Sequence, residues 1–287
     1  MSNTKPHISL FDKSFDETKT SSYKLYIELS NNGIKHTIFN IDNNTFIGFE
    51  EFKFVDIHND YSLVKPLKDV LNVSTIYKNE FESINVAFVN HRATLIPKAI
   101  YKSNKLENFH QFNFSIQEED QFFSDHLINL SAYNVYSIPD SITRLFNDFK
   151  NVRFMHFSSS LIEASLLNTQ RNKSHSLILV NVLPTSFQII VVNNQKLELY
   201  NSFFYQSIED FIYYLLFVLD QLNIKNDETS ITLTGEVENN SSTFEMLNKY
   251  INTLNFGHRP DNLNFSYIFD EIQKHTHYSL FNQFLCE

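Results

Sequence analysis

Glycine and cysteine are scarce in this chain of 287 residues, and each scarcity excludes a class of site. The four glycines, at positions 33, 48, 235 and 257, form neither a GxGxxG nor a GxxxxGK(S/T) phosphate loop. The single cysteine, Cys286, excludes an intrachain disulfide and a zinc site built from several cysteines. A chain with one cysteine suits a reducing compartment, so we expect a cytoplasmic protein.

Positive charge and long apolar runs are also lacking. The chain carries 33 acidic and 23 basic residues, a formal net charge of −10. Nucleic acid and anionic membranes are therefore poor partners on electrostatic grounds, and we expect no nucleic-acid partner. The longest apolar run, Phe211–Leu219, is about half of the roughly 18 residues that a membrane span needs, so we expect no membrane span.

Apolar residues are plentiful, at 42 %, and they are arranged in a repeated order of elements. Three strand-like runs begin near residue 23, are separated by turn signals at 31–33 and 43–44, and are followed by a helix and a further strand. The same order begins again near residue 176. The pattern predicts a duplicated unit of strand, strand, strand, helix and strand.

The repeat predicts three parts of the chain: a flexible N-terminal arm (1–21), a first lobe (22–157) and a second lobe (158–287). Within the first lobe, residues 83–101 predict two strands joined by a short turn at Asn90-His91. Residues 109–123 are rich in phenylalanine, and they either fold over the core or present an apolar patch to a partner. In the second lobe, residues 242–254 predict an amphipathic helix.

Three segments resemble a known family: "LYIELSNNGIKHTIFN", "VAFVNHRATLIPKAIY" and "VRFMHFSSSLIEASL". They are similar to a family of uncharacterised proteins from Bacteroidetes-type bacteria, a domain of unknown function with an actin-like ATPase fold. The duplicated order of elements also resembles that of actin, sugar kinases and heat-shock ATPases. The resemblance implies an α/β protein with a two-lobed, duplicated actin-like (ribonuclease H-like) fold, in which helices pack against mixed sheets. It implies no activity.

In the ATPases of this fold, an Asp at the end of the first strand positions Mg²⁺, and backbone N–H groups of Gly-containing turns hold phosphate. The resemblance places Glu28 near that Asp and Asn31 in the first turn. In the second hairpin Asn181 stands for the Asp, Leu183 for the Gly, and Pro184 removes an N–H donor. The third turn keeps Thr234 and Gly235 but continues with Glu236. A bound nucleotide would thus contact Glu28, Asn31, Asn181, Thr234 and Gly235.

Because all three turns depart from the ATPase pattern, we expect a pseudo-ATPase: a non-catalytic scaffold or adaptor that needs no cofactor and binds an unidentified protein partner. The alternative is a weak ATP-binding or kinase-like enzyme that uses the inter-lobe cleft, with ATP and Mg²⁺ as cofactors and Glu28 handling the metal. The sequence leaves open whether the protein is an enzyme and favours the first interpretation.

Two other groups of residues invite a chemical interpretation. His156 precedes three serines, Ser158–Ser160, as a serine–histidine pair would, although a serine that caps the following helix explains the pattern better. His275 and His277 lie close in sequence, but no spacing typical of zinc sites accompanies them. We therefore expect no metal.

Overall fold

The computed structural model describes residues 4–57, 59–171, 176–225 and 229–287, which form two compact units. Unit 1 comprises the chain up to Ser160 together with Pro260–Glu271 and Ser279–Glu287. Unit 2 comprises Leu161–Arg259 and Ile272–Tyr278. The predicted second lobe, 158–287, was continuous, whereas here two of its C-terminal segments pack into unit 1.

The elements of the described residues are numbered in chain order. The strands are β1 (Ile8–Phe11), β2 (Tyr23–Ser30), β3 (Gly33–Asn40), β4 (Thr45–Lys53), β5 (Ser83–Phe88), β6 (Ala93–Pro97), β7 (Asp120–Leu127), β8 (Ala132–Pro139), β9 (Val152–His156), β10 (Ser176–Val182), β11 (Ser186–Asn193), β12 (Lys196–Phe204), β13 (Ser230–Gly235), β14 (Thr253–Phe256) and β15 (Asn264–Phe265). The α-helices are α1 (Val64–Val73), α2 (Leu106–His110), α3 (Asp140–Thr143), α4 (Phe157–Arg171), α5 (Ile208–Gln221), α6 (Ser242–Leu247) and α7 (Tyr278–Phe281). Short 3-10 helices occupy Glu17–Ser22, Asp60–Leu63, Ile76–Lys78, Ser103–Lys105, Arg144–Phe146, Tyr267–Glu271 and Gln283–Cys286.

The main sheet of unit 1 has the strand order β1-β4-β3-β2-β5-β9, with β15 paired to β4. The meander β2-β3-β4 is antiparallel, and β5 and β9 continue the sheet parallel to β2. Apolar residues on one face, such as Leu25 and Ile27, are fully buried and pack with Leu67 and Val70 of α1. The core of unit 1 therefore lies between this face and α1, as the helical spacing of apolar residues predicts.

The first residues of the chain differ from the predicted flexible arm. Residues Ile8–Phe11 form β1, which pairs antiparallel with β4 along the sheet edge. The Ser9 hydroxyl donates to the Glu50 carboxylate at 2.8 Å, and the ring of Phe11 stacks on Phe15 with centroids 5.0 Å apart. This short alternating segment is ordered because β4 would otherwise leave its edge hydrogen bonds unpaired.

A separate sheet of three antiparallel strands, in the order β6-β8-β7, is inserted in unit 1 between β5 and β9. The predicted hairpin across Asn90-His91 is wrong, because β6 pairs with β8 and β5 pairs with β2 and β9. The Phe-rich segment 109–123 runs from the end of α2 into β7 of this sheet. The ring of Phe123 packs against Tyr136, whereas Phe112 is 81 % exposed.

Unit 2 has the sheet order β12-β11-β10-β13-β14. Strands β10, β11 and β12 are antiparallel, and β13 and β14 continue parallel to β10. This is the order of β4-β3-β2-β5-β9 in unit 1, so the predicted duplication is confirmed. The predicted helix over 242–254 is too long: α6 ends at Leu247, and the β-favouring residues of Thr253–Phe256 form β14.

Candidate functional site

The first predicted phosphate turn joins β2 to β3 and is closed by its own side chain. The Ser30 hydroxyl accepts a hydrogen bond from the Asn32 N–H at 3.2 Å and donates to the Gly33 carbonyl oxygen at 3.3 Å. A Cβ at Gly33 would lie 2.1 Å from the Phe52 carbonyl oxygen. Glycine is therefore required here for the close approach of β3 to β4.

Glu28 and Asn31, the predicted site residues of this hairpin, have partners within unit 1. Glu28 is 6 % exposed, and its carboxylate accepts a hydrogen bond from the Ser279 hydroxyl. The Asn31 side chain donates to the carboxylate of Asp60, which precedes α1. The assignment of Glu28 and Asn31 to a nucleotide stays a prediction.

The other predicted residues, Asn181, Thr234 and Gly235, lie together at the ends of β10 and β13 in unit 2. The Thr234 hydroxyl donates to Asn181 Oδ1 at 3.1 Å, and the Asn181 side-chain nitrogen donates to Gln188 Oε1 at 2.8 Å. Gly235 has a φ of +84°, and a Cβ there would lie 2.2 Å from the Val182 carbonyl oxygen. These groups bond to one another, and their role toward nucleotide likewise stays a prediction.

Backbone donors at the same two turns are also paired with protein carbonyls. The Leu183 N–H donates to Ser186 O at 2.8 Å and closes the β10–β11 hairpin. The Gly235 N–H donates to His275 O at 3.0 Å, and the Glu236 N–H donates to the carbonyl oxygen of β10's last residue at 2.7 Å. A phosphate cradle works through N–H groups that point at the anion. In this structure each of the three N–H groups would first have to break its hydrogen bond to a protein carbonyl before it could bind phosphate.

Polar side chains gather in unit 1 where the parallel strands β2, β5 and β9 end, the edge at which open α/β sheets bind ligands. The Asp60 carboxylate accepts hydrogen bonds from Asn31 and Asn90. Burial raises the pKa of Asp60 although the Arg92 guanidinium lowers it. We call Asn31, Asp60, Asn90, His91 and Arg92 the carboxyl-edge cluster.

Arg92 is held mainly by Asp120 at the start of β7. Its Nη1 and Nη2 donate to the two carboxylate oxygens at 2.8 Å and 2.5 Å, and Nη2 also donates to Ser115 O at 2.7 Å. Burial raises the pKa of Asp120, but the hydrogen bonds from Arg92, the Gln117 N–H and Ser137, together with the charge of Arg92, outweigh it and hold that pKa below its ordinary value. Burial lowers the pKa of His91 to about 4, so this ring is neutral at pH 7. The cluster therefore carries one cation already paired in a bidentate bond.

His156, the last residue of β9, links the carboxyl-edge cluster to the inserted sheet. The Ser158 backbone N–H donates to His156 Nδ1 at 3.3 Å, so Nδ1 is unprotonated and Nε2 carries the hydrogen. Nε2 donates to the carbonyl oxygen and to Oδ1 of Asn90, each at 3.1 Å, and the Ser158 hydroxyl donates to Nδ1 at 2.6 Å. Burial lowers the pKa of His156 to about 3, so the ring is neutral.

Asp125 on β7 anchors the other side of the same buried network. Its Oδ2 accepts from the His156 backbone N–H at 2.8 Å and from the Ser159 hydroxyl at 2.6 Å. Its Oδ1 accepts from the Tyr136 hydroxyl at 3.2 Å. Burial raises the pKa of Asp125 to about 6 although these bonds favour the carboxylate. We call the buried set the His156 network: Asn90, Asp125, Asn134, Tyr136, His156, Ser158 and Ser159.

The order Ser158, His156 and Asn90 is that of a nucleophile, a base and the group that orients the base. Ser158 is 0 % and His156 1 % exposed, so the hydroxyl is closed to a substrate in this structure. The prediction that a serine caps the next helix is wrong. Helix α4 begins at Phe157, and the His156 ring accepts the N–H of its second residue. The network joins β5, β7, β8, β9 and the start of α4.

His275, one of the two histidines noted near the C-terminal end, has a protein partner. His275 Nε2 lies 2.6 Å from the Val237 carbonyl oxygen. Across the described residues, no three His, Cys, Asp or Glu side chains are grouped as they would be to hold a metal ion. In the same part of the chain, no helix is long and apolar enough to cross a membrane.

Comparisons with known proteins place the chain by family and by fold. The model of a family of proteins of unknown function, DUF3822, matches residues 12–254. A crystal structure from Bacteroides thetaiotaomicron, of a protein with an actin-like ATPase fold and unknown function, is 26 % identical. It covers 85 % of this chain and 93 % of that one, with a TM-score of 0.75. A chain of the PilM–PilN type IV pilus biogenesis complex is 9 % identical and covers 92 % of this chain and 98 % of its own, with a TM-score of 0.64. No curated protein matches. The actin-like ATPase fold implied by the sequence resemblance is thus confirmed.

Proposed function

The chain belongs to the DUF3822 family, and from that premise we propose that it is a non-catalytic adaptor that binds another protein and needs no nucleotide. One observation carries the proposal. At the turns where ATPases of this fold hold phosphate, the Glu28 carboxylate, the Asn181 and Thr234 side chains and three backbone N–H groups are bonded within the protein. Glu28, in the place of the Mg²⁺-positioning Asp, accepts a hydrogen bond from Ser279, and three backbone donors of unit 2 are paired with carbonyls.

A protein partner, and not a small substrate, is supported by two features. The PilM–PilN neighbour belongs to a complex of proteins, which is an analogy at the level of fold. The serine–histidine pair, which is the arrangement closest to a catalytic one described above, is fully buried. No cofactor is needed for the adaptor role, and ATP with Mg²⁺ is the alternative that the first experiment addresses.

Thermal melts with millimolar ATP or ADP, each with and without Mg²⁺, test the independence from nucleotide. A ligand at about 100 times its Kd stabilises the folded state by roughly 2.7 kcal/mol, which raises Tm by a few degrees. We expect no shift beyond that of magnesium salt alone. A shift that requires Mg²⁺ and disappears in Glu28→Gln would overturn the proposal in favour of the weak ATP-binding alternative.

Glu28→Gln is a matched variant because glutamine keeps an oxygen that can accept from the Ser279 hydroxyl while removing the charge. Partner binding is tested separately by crosslinking the full chain in the cells that make it. Recovery of one reproducible crosslinked protein, in the same yield for wild type and Glu28→Gln, is the expected result. Recovery of the uncrosslinked chain alone would contradict the adaptor role.

A further inference from the structure

A cavity of about 470 Å³ opens on unit 1 beside β1, in a place separate from the phosphate turns. This volume lies within the range of roughly 300–1,000 Å³ that is typical of small-molecule sites. Aromatic rings from the β1 region and from β4 form part of its wall, and the residues just after α1 form another part. The lining residues that matter here are Phe11, Phe15, Glu17, Glu50, Phe52 and Ser74.

Glu50 is the buried charge of this cavity. It is 8 % exposed, and its carboxylate accepts hydrogen bonds from the Ser9 hydroxyl at 2.8 Å and from the Ser74 hydroxyl. Among the described residues, no Lys or Arg lies within ion-pair distance of Glu50. Burial raises the pKa of Glu50, which is the effect expected for a carboxylate without a counter-ion.

Glu51, the next residue of β4, has the positively charged partner that Glu50 lacks within the described part of the chain. Glu51 faces Lys35 across the β3–β4 ladder, with Lys35 Nζ 3.7 Å from Glu51 Oε1. Glu50 faces His36 in the same ladder, with Nε2 3.4 Å from Oε2. Where Glu51 has a permanent cation, Glu50 has an imidazole that is 0 % exposed.

His36 does not supply a positive charge. Burial lowers its pKa to about 3, and burial raises the pKa of Tyr77 well above its ordinary value, so Tyr77 keeps its proton. The buried Tyr77 hydroxyl lies 2.9 Å from His36 Nδ1. The other ring nitrogen, Nε2, lies 3.4 Å from Glu50 Oε2 and makes no hydrogen bond to the residues that the structure describes. The neutral imidazole therefore leaves the charge of the Glu50 carboxylate uncompensated.

We propose that this cavity binds a primary alkylammonium group, with the ammonium on the Glu50 carboxylate and its alkyl stem along the rings of Phe11, Phe15 and Phe52. A buried carboxylate is normally paired with a cation, and aromatic faces attract an ammonium ion electrostatically. The exposed Glu17 at the cavity wall adds a second negative charge. A metal ion fits less well because Mg²⁺ and Ca²⁺ require about six or more oxygen ligands. The proposal does not depend on the adaptor role.

Titration calorimetry of the full chain at low ionic strength tests the site with two probes. One is n-butylammonium, a free amine, and the other is Nα-acetyl-lysine methylamide, which presents a lysine side chain of a protein. We expect saturable binding of at least one. A tenfold preference for the lysine probe assigns the site to a protein side chain, and the opposite preference assigns it to a small amine. If neither probe binds above the heat of the matched sodium salts, the proposal is overturned.

Variants locate the binding. Glu50→Gln is expected to weaken the better probe by at least tenfold, whereas Glu51→Gln, on the next residue of the strand, changes it less than twofold. Equal weakening by the two variants would contradict the assignment. Should Glu50→Gln fail to fold, NOEs between the probe's methylene protons and the Phe11 and Phe15 rings in the wild-type protein decide. Binding without those NOEs would refute the site.

Discussion

Removing the buried charge of Asp125 tests the His156 network most directly. The two changes are Asp125→Asn, which removes only the charge, and Asp125→Ala, which removes every acceptor. Three donors converge on this carboxylate, from the His156 backbone, Ser159 and Tyr136. The amide oxygen of asparagine can accept from the first two while the Tyr136 hydroxyl turns to accept from its nitrogen. Alanine leaves the donors unpaired, at a cost of about 3 kcal/mol or more.

The charge makes stability depend on pH in a defined direction. The folded pKa of Asp125, about 6, lies above the ordinary value of 3.8, so folding favours the protonated acid. The contribution of Asp125 to stability is therefore complete below about pH 4 and is lost as pH rises through about 6. A difference of about 2 pKa units corresponds to roughly 3 kcal/mol. The asparagine of Asp125→Asn does not ionise, so the variant does not lose this stability. Between about pH 4 and pH 7 the stability of Asp125→Asn relative to wild type should therefore rise by roughly 3 kcal/mol.

Urea denaturation of wild type and Asp125→Asn at several pH values measures the difference. Exchange of the His156 amide hydrogen, which donates to Asp125, reports the same effect locally. Asp125→Ala is expected to be less stable than Asp125→Asn at every pH. A difference between wild type and Asp125→Asn that stays constant over this pH range would refute the claim that Asp125 is a buried, destabilised carboxylate.

Two further predictions concern glycine and the Phe-rich segment. Gly235→Ala should destabilise the protein by about 2–4 kcal/mol in urea denaturation, because its φ of +84° and the Val182 carbonyl both oppose a side chain. Gly48→Ala should cost less, since the atoms nearest to an added Cβ are side-chain atoms of Phe11 and Ile38 at 3.1–3.2 Å, and equal losses would contradict this account. Phe112→Ser should change stability by less than about 0.5 kcal/mol, since that ring is 81 % exposed. Phe123→Ala, which removes contacts with Tyr136 and Phe154, should cost about 2 kcal/mol or more, and the reverse order would show that the segment is anchored elsewhere.

Local patterns predict those parts of the fold in which strand partners are close in sequence. The meander from Tyr23 and its repeat from residue 176 are confirmed because short turns leave antiparallel pairing as the only simple arrangement. The inserted sheet escaped prediction because β6 pairs with β8, about 40 residues later, and periodicity does not identify distant partners. The strand β14 escaped for a related reason, since parallel pairing with β13 overrides the helical spacing of its apolar residues.

Some residues of the candidate site were proposed from the sequence, and others were missed. Glu28, Asn31, Asn181, Thr234 and Gly235 were proposed from the resemblance to ATPases of this fold, and their role toward nucleotide stays a prediction. The acceptor role of Asp125 was missed because its donors come from β8, β9 and α4, which are separated in sequence. A signal was present in the chain: Asp125 and Asn134 are polar residues within strands, and both are 1 % exposed. Buried polar residues of this kind must find partners, so they indicate a network before its members are known.

The pairing of turn donors in unit 2 has an energetic consequence for the adaptor role. The N–H groups of Leu183, Gly235 and Glu236 each hold a protein carbonyl. A phosphate that displaced all three would forfeit about 1 kcal/mol for each bond, or roughly 3 kcal/mol in total. The Kd for phosphate would therefore be more than about 100 times higher than at turns whose N–H groups make no hydrogen bond within the protein. The same bonds stabilise the turns themselves. Weak competition from nucleotide is what the proposed adaptor role requires, because the adaptor would hold its partner without responding to ATP.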